Sequence, residues 1–197
     1  PLPVAEQLLA GWLLERAGLA VPDGVIGLLP AVLDDAATAT VARVPWGRQA
    51  GHFVGLDARG DLLLFDAATA ATSRGQNLAR EPRDTVALAG AQPVARAASG
   101  LRPDAIRWLG ALLRSAQIAG AAAGALELSV KYTSERVQFG KPLAQFQAIQ
   151  NHLAELGGAM ASIDTMARTA FLALDARGLA GEGDAGFEIP AATCPAS

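Results

Sequence analysis

The sequence predicts an α+β fold in which a helix, a small antiparallel β region and a bundle of helices follow one another. Helix formers with helical apolar spacing occupy the first residues, and short β-prone runs separated by turn residues come next. Long segments with helical periodicity complete the chain. We therefore expect three regions: a helical region at 1–24, a small β domain at 25–98 and a helical domain at 99–197.

The first predicted helix covers residues 4–17 and is rich in strong helix formers. Gly18 is a natural stop, and Pro22-Asp23-Gly24 indicates a turn. The side chains that recur at helical spacing are Leu8, Leu9, Trp12, Leu13 and Arg16. This spacing supports the prediction of a helix.

The β region is predicted from short runs that are rich in β-branched and large apolar residues. Turn residues such as those at 57–61 separate the runs, which predicts antiparallel hairpins or a small barrel. The predicted strands are 25–29, 38–44, 52–56, 62–66 and 85–88.

Two long helices are predicted beyond Leu101. Pro103 suits a first helical position because its missing N–H costs nothing there, and the helix should run to about Val130. A second helix should start near Pro142 and continue towards Gly178. Two such helices cannot bury both their faces alone, so we expect further helices from elsewhere in the protein or from a partner.

The composition of the chain argues against several classes of function. The chain has 197 residues, a net charge of −3 and 51% hydrophobic residues, which is typical of a soluble globular protein. Its basic residues are dispersed, which argues against nucleic-acid binding. The sequence has no unbroken apolar run long enough to indicate a membrane span. The lone Cys194 favours a reducing cytoplasm. His52 and His152 lack companions at metal-ligand spacing, so no metal site is predicted.

The most informative segment is 132–150, Tyr-Thr-Ser-Glu-Arg-Val-Gln-Phe-Gly-Lys-Pro-Leu-Ala-Gln-Phe-Gln-Ala-Ile-Gln. We expect a loop between the two long helices that carries an arginine, several amides and two phenylalanines. It resembles the flavin-contacting segment of the acyl-CoA dehydrogenase family, with the pattern Tyr-x-x-x-Arg-x-x-Phe-Gly-x-x-Leu-x-x-x-Gln. The resemblance is long and ungapped, and it implies FAD as the cofactor.

The resemblance also implies which residues contact FAD, bound mainly by the other subunit of a dimer. An arginine is a permanently charged fork suited to the diphosphate, and amides and aromatic rings suit ribose, adenine and the flat rings. The implied residues are Arg136, Gln138, Phe139, Leu143, Phe146, Gln147 and Ile149. The alternative is that Arg136 pairs with Glu135 or Glu155 at the surface while the phenylalanines fill the core.

Flanking segments carry a weaker resemblance. Residues 12–19 resemble the end of the family's N-terminal helical region, and 44–50 and 81–84 resemble pieces of a reduced middle domain. Within them, Trp46 is expected to fill the core or a strand edge instead of stacking on the flavin.

Two features of the family are missing. The middle-domain pattern Thr-Glu-Pro-x-x-Gly-Ser and the following Trp-x-Thr/Ser do not occur. The family's catalytic glutamate would align with Gly110-Ala111 or lie beyond Ser197, and Glu127, the nearest acid, is expected to be solvated or to face the bundle. No catalytic residue is therefore predicted here.

The resemblance implies a subunit of an FAD-dependent acyl-CoA dehydrogenase, an oxidoreductase that desaturates a CoA thioester between Cα and Cβ. The missing base favours a heterodimer or α2β2 heterotetramer whose second subunit supplies it. The resemblance further implies a bulky substrate such as a steroid side-chain thioester and an electron-transfer flavoprotein as acceptor. One alternative is a structural or assembly subunit without flavin contacts. Another is a stand-alone enzyme whose remaining residues lie outside this sequence.

Overall fold

A computed structural model describes residues 2–34 and 39–177 of the chain. These residues divide into two compact units, 2–110 and 111–177, and the boundary falls within one long helix. The division into the three regions 1–24, 25–98 and 99–197 remains a prediction. Cys194 lies outside the described residues.

Helix α1 spans Val4–Arg16 and confirms the first predicted helix. Its buried side chains include Leu9 and Leu13, which lie one turn apart, whereas Leu8 is 68% exposed. Trp12 is also exposed, and Arg16 lies over its ring at 5.6 Å. Of the residues at helical spacing, Leu9 and Leu13 are therefore buried, whereas Leu8 and Trp12 are exposed.

The side chain of Gln7 joins α1 to the first strand. Its Nε2 donates to the carbonyl of Gly24 at 2.9 Å, and its Oε1 accepts from the N–H of Ile26 at 2.6 Å. These two contacts fix which side of α1 meets the strand, because the backbone polar groups at the turn are satisfied only when Gln7 faces them.

Seven strands follow in the first unit. They are β1 (Ile26–Leu33), β2 (Thr40–Pro45), β3 (His52–Asp57), β4 (Asp61–Asp66), β5 (Ala71–Ser73), β6 (Arg83–Ala87) and β7 (Ala95–Ala98). They form a four-stranded sheet in the order β1-β3-β4-β7 and a three-stranded sheet in the order β2-β6-β5. All five predicted strands are present with shifted ends, while β5 and β7 were not predicted.

Pairing is antiparallel except between β1 and β3, which are parallel. The register of this pair shifts between Leu28 and Val32, around Pro30, which has no N–H for the ladder. The β3–β4 hairpin confirms the turn at 57–61, where Asp57 Oδ1 accepts from the N–H groups of Arg59 and Asp61 at 2.8 and 2.9 Å.

The core of the first unit is formed by apolar side chains from both sheets. Its buried residues are Leu29, Leu33, Val41, Val44, Phe53, Leu63, Phe65, Val86, Leu88 and Ala91. Because β1, β3 and β4 of one sheet and β2 and β6 of the other contribute to one cluster, the two sheets pack face to face.

Helix α2 spans Ala105–Glu135, so it begins two residues after the predicted Pro103. Asp104 precedes it, and its carboxylate accepts from Trp108 Nε1 at 2.6 Å and from Arg102 Nε at 3.1 Å. Burial raises the pKa of Asp104, but these hydrogen bonds outweigh burial and hold that pKa below its usual value.

The second unit contains most of α2, a short hairpin and helix α3 (Gln147–Arg177). α2 is long and apolar enough to cross a membrane by length and mean hydropathy alone. A helix that packs against other helices has the same composition, so the absence of membrane contact remains a prediction.

Candidate functional site

The segment between α2 and α3 folds as a hairpin of two short strands, β8 (Val137–Gln138) and β9 (Lys141–Pro142). Val137 pairs with Pro142, Gln138 pairs with Lys141, and the N–H of Leu143 donates to the carbonyl of Arg136 at 2.9 Å. The expected loop is therefore an ordered hairpin that fixes the backbone of Arg136 and Gln138.

Phe139 occupies an unusual backbone conformation at the tip of this hairpin. Its φ is +53° and that of Gly140 is +80°, and positive φ at both central residues is what tight hairpin turns require. Glycine adopts this conformation freely, whereas a bulky side chain there costs about 1–2 kcal/mol. The Phe139 side chain is also 92% exposed. Strain and exposure of a large apolar ring together indicate a contact with another molecule.

Phe146 and Lys141 hold the inner side of the hairpin. The rings of Phe139 and Phe146 meet edge to face, with centroids 6.3 Å apart and planes at 78°. Lys141 Nζ lies 4.3 Å from the centroid of Phe146 and donates to the carbonyl of Gln145 at 3.4 Å. These contacts form a continuous stack from Lys141 through Phe146 to Phe139.

The start of α3 differs from the sequence prediction. Pro142 belongs to β9, a short 3-10 turn covers Leu143–Gln145, and Phe146 is extended, so the helix begins at Gln147. The Nε2 of Gln150 donates to the carbonyl of Ala144 at 2.9 Å and thereby joins the turn to the helix. The helix starts late because the hairpin pairing uses Pro142.

Arg136 lies at the junction of α2 and the hairpin and is exposed. Among the residues that the structure describes, its guanidinium forms no ion pair with Glu135 or Glu155, and Glu155 instead lies 3.7 Å from His152 Nδ1. The predicted alternative of a surface ion pair is therefore not formed. Phe139 does not fill the core either, because it is exposed.

The seven residues implied by the resemblance all belong to this hairpin and the first turn of α3. Arg136, Phe139 and Gln147 are exposed, while the remaining four are half-buried, namely Gln138, Leu143, Phe146 and Ile149. Gln147 Nε2 donates to Asn151 Oδ1 at 3.0 Å. A free guanidinium, amides and accessible aromatic surface fit the chemistry of a dinucleotide. Their contact with FAD remains a prediction.

The structure brings together two of the three flanking segments that carry the family resemblance, 44–50 and 81–84. The N–H of Trp46 donates to the carbonyl of Pro82 at 3.3 Å, and Arg48 forms an ion pair with Asp84 at 2.6 Å. The Nη2 of Arg48 also donates to the carbonyl of Gly75 at 2.6 Å. Trp46 is buried, which agrees with its expected role as a core residue. These contacts join β2, β5 and β6 and are structural.

Asp84 is the buried centre of that network. Burial raises the pKa of its carboxyl, but hydrogen bonds from Arg48 and from the N–H of Gly75 outweigh burial, so the pKa lies below its usual value. The same pairing raises the pKa of Arg48. An ionised aspartate that accepts this many hydrogen bonds stabilises the fold and is not a proton acceptor for catalysis.

No acid stands where the resemblance would align the family's catalytic glutamate, since Gly110 and Ala111 occupy that position. Glu127 is exposed on α2. That this chain lacks a catalytic residue remains a prediction. Within residues 2–34 and 39–177, no group of three or more His, Cys, Asp or Glu side chains could hold a metal ion.

Sequence reasoning missed two residues that hold this segment together, Lys141 of β9 and Gln150 of α3. Both act through contacts that bridge four to six positions along the chain. The signal for Lys141 in the sequence is a cation placed five residues before Phe146. A turn between the two residues is needed to bring the cation to the ring.

Comparison with known proteins finds a family model that matches part of the chain. The model of the family "Acyl-CoA dehydrogenase, C-terminal domain" matches residues 109–192. A Mycobacterium leprae protein named "Probable acyl-CoA dehydrogenase fadE25" is 43% identical over 82 residues, which cover 42% of this chain and 20% of that protein. The first curated relatives are matched over a tenth to a fifth of their length.

Solved structures show the same fold. The Tcur3481-Tcur3483 steroid ACAD variant superposes with a TM-score of 0.71 at 23% identity, over 91% of this chain and 58% of that chain. The ChsE4-ChsE5 complex from Mycobacterium tuberculosis superposes with a TM-score of 0.64 at 21% identity, over 84% of this chain and 56% of that chain. The α+β fold class is thereby confirmed. Residues 109–192 therefore match the acyl-CoA dehydrogenase C-terminal domain, and this match confirms the resemblance predicted from residues 132–150.

Proposed function

We propose that this chain is a subunit of an FAD-dependent acyl-CoA dehydrogenase and that its hairpin contacts FAD held mainly by a second subunit. The observation that carries the proposal is the ordered, exposed hairpin of residues 136–146, whose residues follow the family pattern without a gap. Its arginine has no ion-pair partner in the described part of the chain, and its tip presents a strained phenylalanine.

The residues present suit distinct parts of the cofactor. Arg136 would bind the diphosphate through charged hydrogen bonds. Gln138 and Gln147 would supply amides to ribose or adenine. The apolar contacts would come from Leu143, Phe146 and Ile149 beside the exposed Phe139. When bound, FAD supplies the acceptor for the hydride that leaves Cβ of the thioester.

In the proposed arrangement, a second subunit completes this activity. Abstraction of the α-proton requires a carboxylate whose pKa is tuned towards neutrality, and the aligned position in this chain holds Gly110-Ala111. We infer that the base and part of the flavin site belong to a partner dehydrogenase subunit, in a heterodimer or α2β2 heterotetramer. The names of the two similar structures, a Tcur3481-Tcur3483 steroid ACAD and a ChsE4-ChsE5 complex, support this arrangement.

The same comparison supports a bulky CoA thioester, such as that of a steroid side chain, as the substrate. An electron-transfer flavoprotein in the cytoplasm is the proposed electron acceptor. These two statements depend on the heteromeric proposal and are tested only after the complex has been isolated.

The test is co-expression with a neighbouring dehydrogenase gene, followed by dialysis and measurement of the flavin-to-protein ratio. Arg136→Ala should weaken FAD retention about ten- to a hundredfold, because it removes a charged hydrogen bond worth about 1.5–3 kcal/mol. Arg168→Ala is the matched control, since Arg168 is an exposed arginine of α3 that pairs with Asp164 at 2.7 Å.

The outcome separates the alternatives. Flavin that is retained only by the co-purified complex and lost in the Arg136→Ala variant supports the proposal. Retention that is unchanged by Arg136→Ala contradicts it and favours an assembly subunit without flavin contacts. Bound flavin and turnover in this chain alone would instead identify a stand-alone enzyme.

A further inference from the structure

We propose that Lys141 is a positioning residue that sets the ring of Phe146, and through it the ring of Phe139, for contact with the flavin nucleotide. The inference rests on the proposed function and adds a residue that the family pattern leaves unspecified. Its basis is the stack in which Lys141 Nζ lies 4.3 Å from the Phe146 centroid and Phe146 meets Phe139 edge to face at 6.3 Å.

The backbone places Lys141 where it can hold the ring. Its pairing with Gln138 fixes it in β9, and the 3-10 turn at Leu143–Gln145 brings Phe146 back towards it. The ammonium also donates to the carbonyl of Gln145, the residue immediately before Phe146, at 3.4 Å. Lys141 therefore restrains both the ring and the backbone next to the ring.

Phe139 needs such a restraint. Its ring is 92% exposed, and the edge-to-face contact with Phe146 is the aromatic contact that the structure gives it. An exposed ring that is free to rotate would have to be ordered when FAD binds, which lowers affinity. Holding Phe146 in place removes part of that cost in advance.

A direct contact between Lys141 and the diphosphate is the competing interpretation. The observed ammonium lies over an aromatic face, an arrangement stabilised by the ring quadrupole, whereas Arg136 has no ion pair in the described part of the chain. The two interpretations differ in whether the effect of Lys141 requires the ring of Phe146. That difference is measurable.

The first experiment examines the contact itself by reductive ¹³C-methylation and NMR of the full chain, with and without FAD. The sequence contains only two lysines, Lys141 and the exposed Lys131 on α2, and Lys141→Arg assigns their signals. The Lys141 methyl groups should be shifted upfield of those of Lys131 by the ring current, and Phe146→Leu should abolish the shift. Equal shifts for both lysines would overturn the proposal.

The second experiment measures FAD retention in the co-expressed complex as a double-mutant cycle. Lys141→Met should weaken retention about two- to fivefold, as expected for an exposed cation–π contact, and should reduce the visible circular dichroism of the flavin. Lys141→Arg should retain both because a guanidinium also binds an aromatic face. Lys131→Met is the matched control for loss of one positive charge.

The cycle closes with Phe146→Leu. In that background Lys141→Met should have no further effect, because the ring through which it acts is absent. An undiminished effect of Lys141→Met in that background would establish direct contact with the phosphates and overturn the proposal. An unaltered Kd for FAD in the single variant Lys141→Met would overturn it as well. Arg136→Ala is measured alongside. If Arg136→Ala weakens FAD retention while Lys141→Met does not, only the inference about Lys141 fails. If neither variant weakens FAD retention, the proposed function fails as well.

Discussion

The network around Asp84 gives the sharpest stability prediction. Its carboxylate is fully buried and accepts from Arg48 N at 2.8 Å, Arg48 Nε at 3.1 Å, Arg48 Nη2 at 2.6 Å and Gly75 N at 2.9 Å. In Asp84→Asn one oxygen becomes an NH2 group that faces these donors, so several of them lose their acceptor. Breaking a buried ion pair costs about 3–5 kcal/mol, and we take the lower end because water can reach part of the arginine.

The assay is urea denaturation of the full chain followed by far-UV circular dichroism. A loss of about 3 kcal/mol corresponds to a Tm lowered by about 6–12 °C for a chain of this size. Asp61→Asn is the control in the same unit, because Asp61 accepts from Arg96 at 2.9 Å in a partly exposed pair worth at most about 1 kcal/mol. Equal losses for the two variants would refute the importance that we assign to burial of Asp84.

The pH dependence has a definite sign. Because the pKa of Asp84 is lowered in the folded chain, its contribution to stability is complete above the usual aspartate pKa of about 3.9 and is lost as the pH falls through the lower folded-state value. The stability difference between the wild type and Asp84→Asn should therefore be constant near neutrality and shrink in acid. A difference that grows in acid would contradict the direction of this shift.

Three further predictions follow from the geometry. Leu9→Ala should lower the free energy of unfolding by about 2–3 kcal/mol, whereas Leu8→Ala should change it by less than about 0.5 kcal/mol, because Leu9 is 6% exposed and Leu8 is 68% exposed. Gly60→Ala should cost about 2 kcal/mol in the same urea assay, since φ is +81° and the added Cβ would lie 2.2 Å from the carbonyl oxygen of Leu101. Phe139→Asn should stabilise the isolated chain by up to about 1 kcal/mol and weaken FAD retention in the complex, because asparagine tolerates positive φ but lacks the ring. Equal stability of the two leucine variants, an unaffected Gly60→Ala, or full FAD retention by Phe139→Asn would each contradict the corresponding argument.

Local signals predicted the elements that local chemistry determines. The turn at 57–61 and the long helix α2 were recognisable from residue type and spacing, whereas the segment between α2 and α3 was expected to be a loop and is a hairpin. Strand β7 was not recognisable, because Ala95–Ala98 has little β propensity and becomes a strand by pairing with β4. Such a strand is specified by its neighbour, which no local pattern reports.

The buried face of α1 illustrates a different limit. Leu8 and Leu9 are adjacent, so two apolar stripes about 100° apart fit the same sequence. Gln7 decides between them through its bonds to Gly24 and Ile26, and those partners lie 17 and 19 residues away. The ion pair between Arg48 and Asp84 spans 36 residues and is equally invisible to local reasoning. The site residues could be identified only because a family pattern marks them.

The hairpin is where sequence pattern, backbone strain and exposure coincide. A glycine or asparagine in place of Phe139 would relieve the positive φ, and a polar side chain would avoid exposing an aromatic ring to water. Within the described residues, folding therefore gives no reason for phenylalanine at the tip. The proposed contact with FAD would offset this cost, because an aromatic surface and a guanidinium without an ion pair among the described residues suit a ligand that combines flat rings with a diphosphate. The same reasoning gives Lys141 its role, since a strained tip is useful to a ligand only if its ring is already held in place.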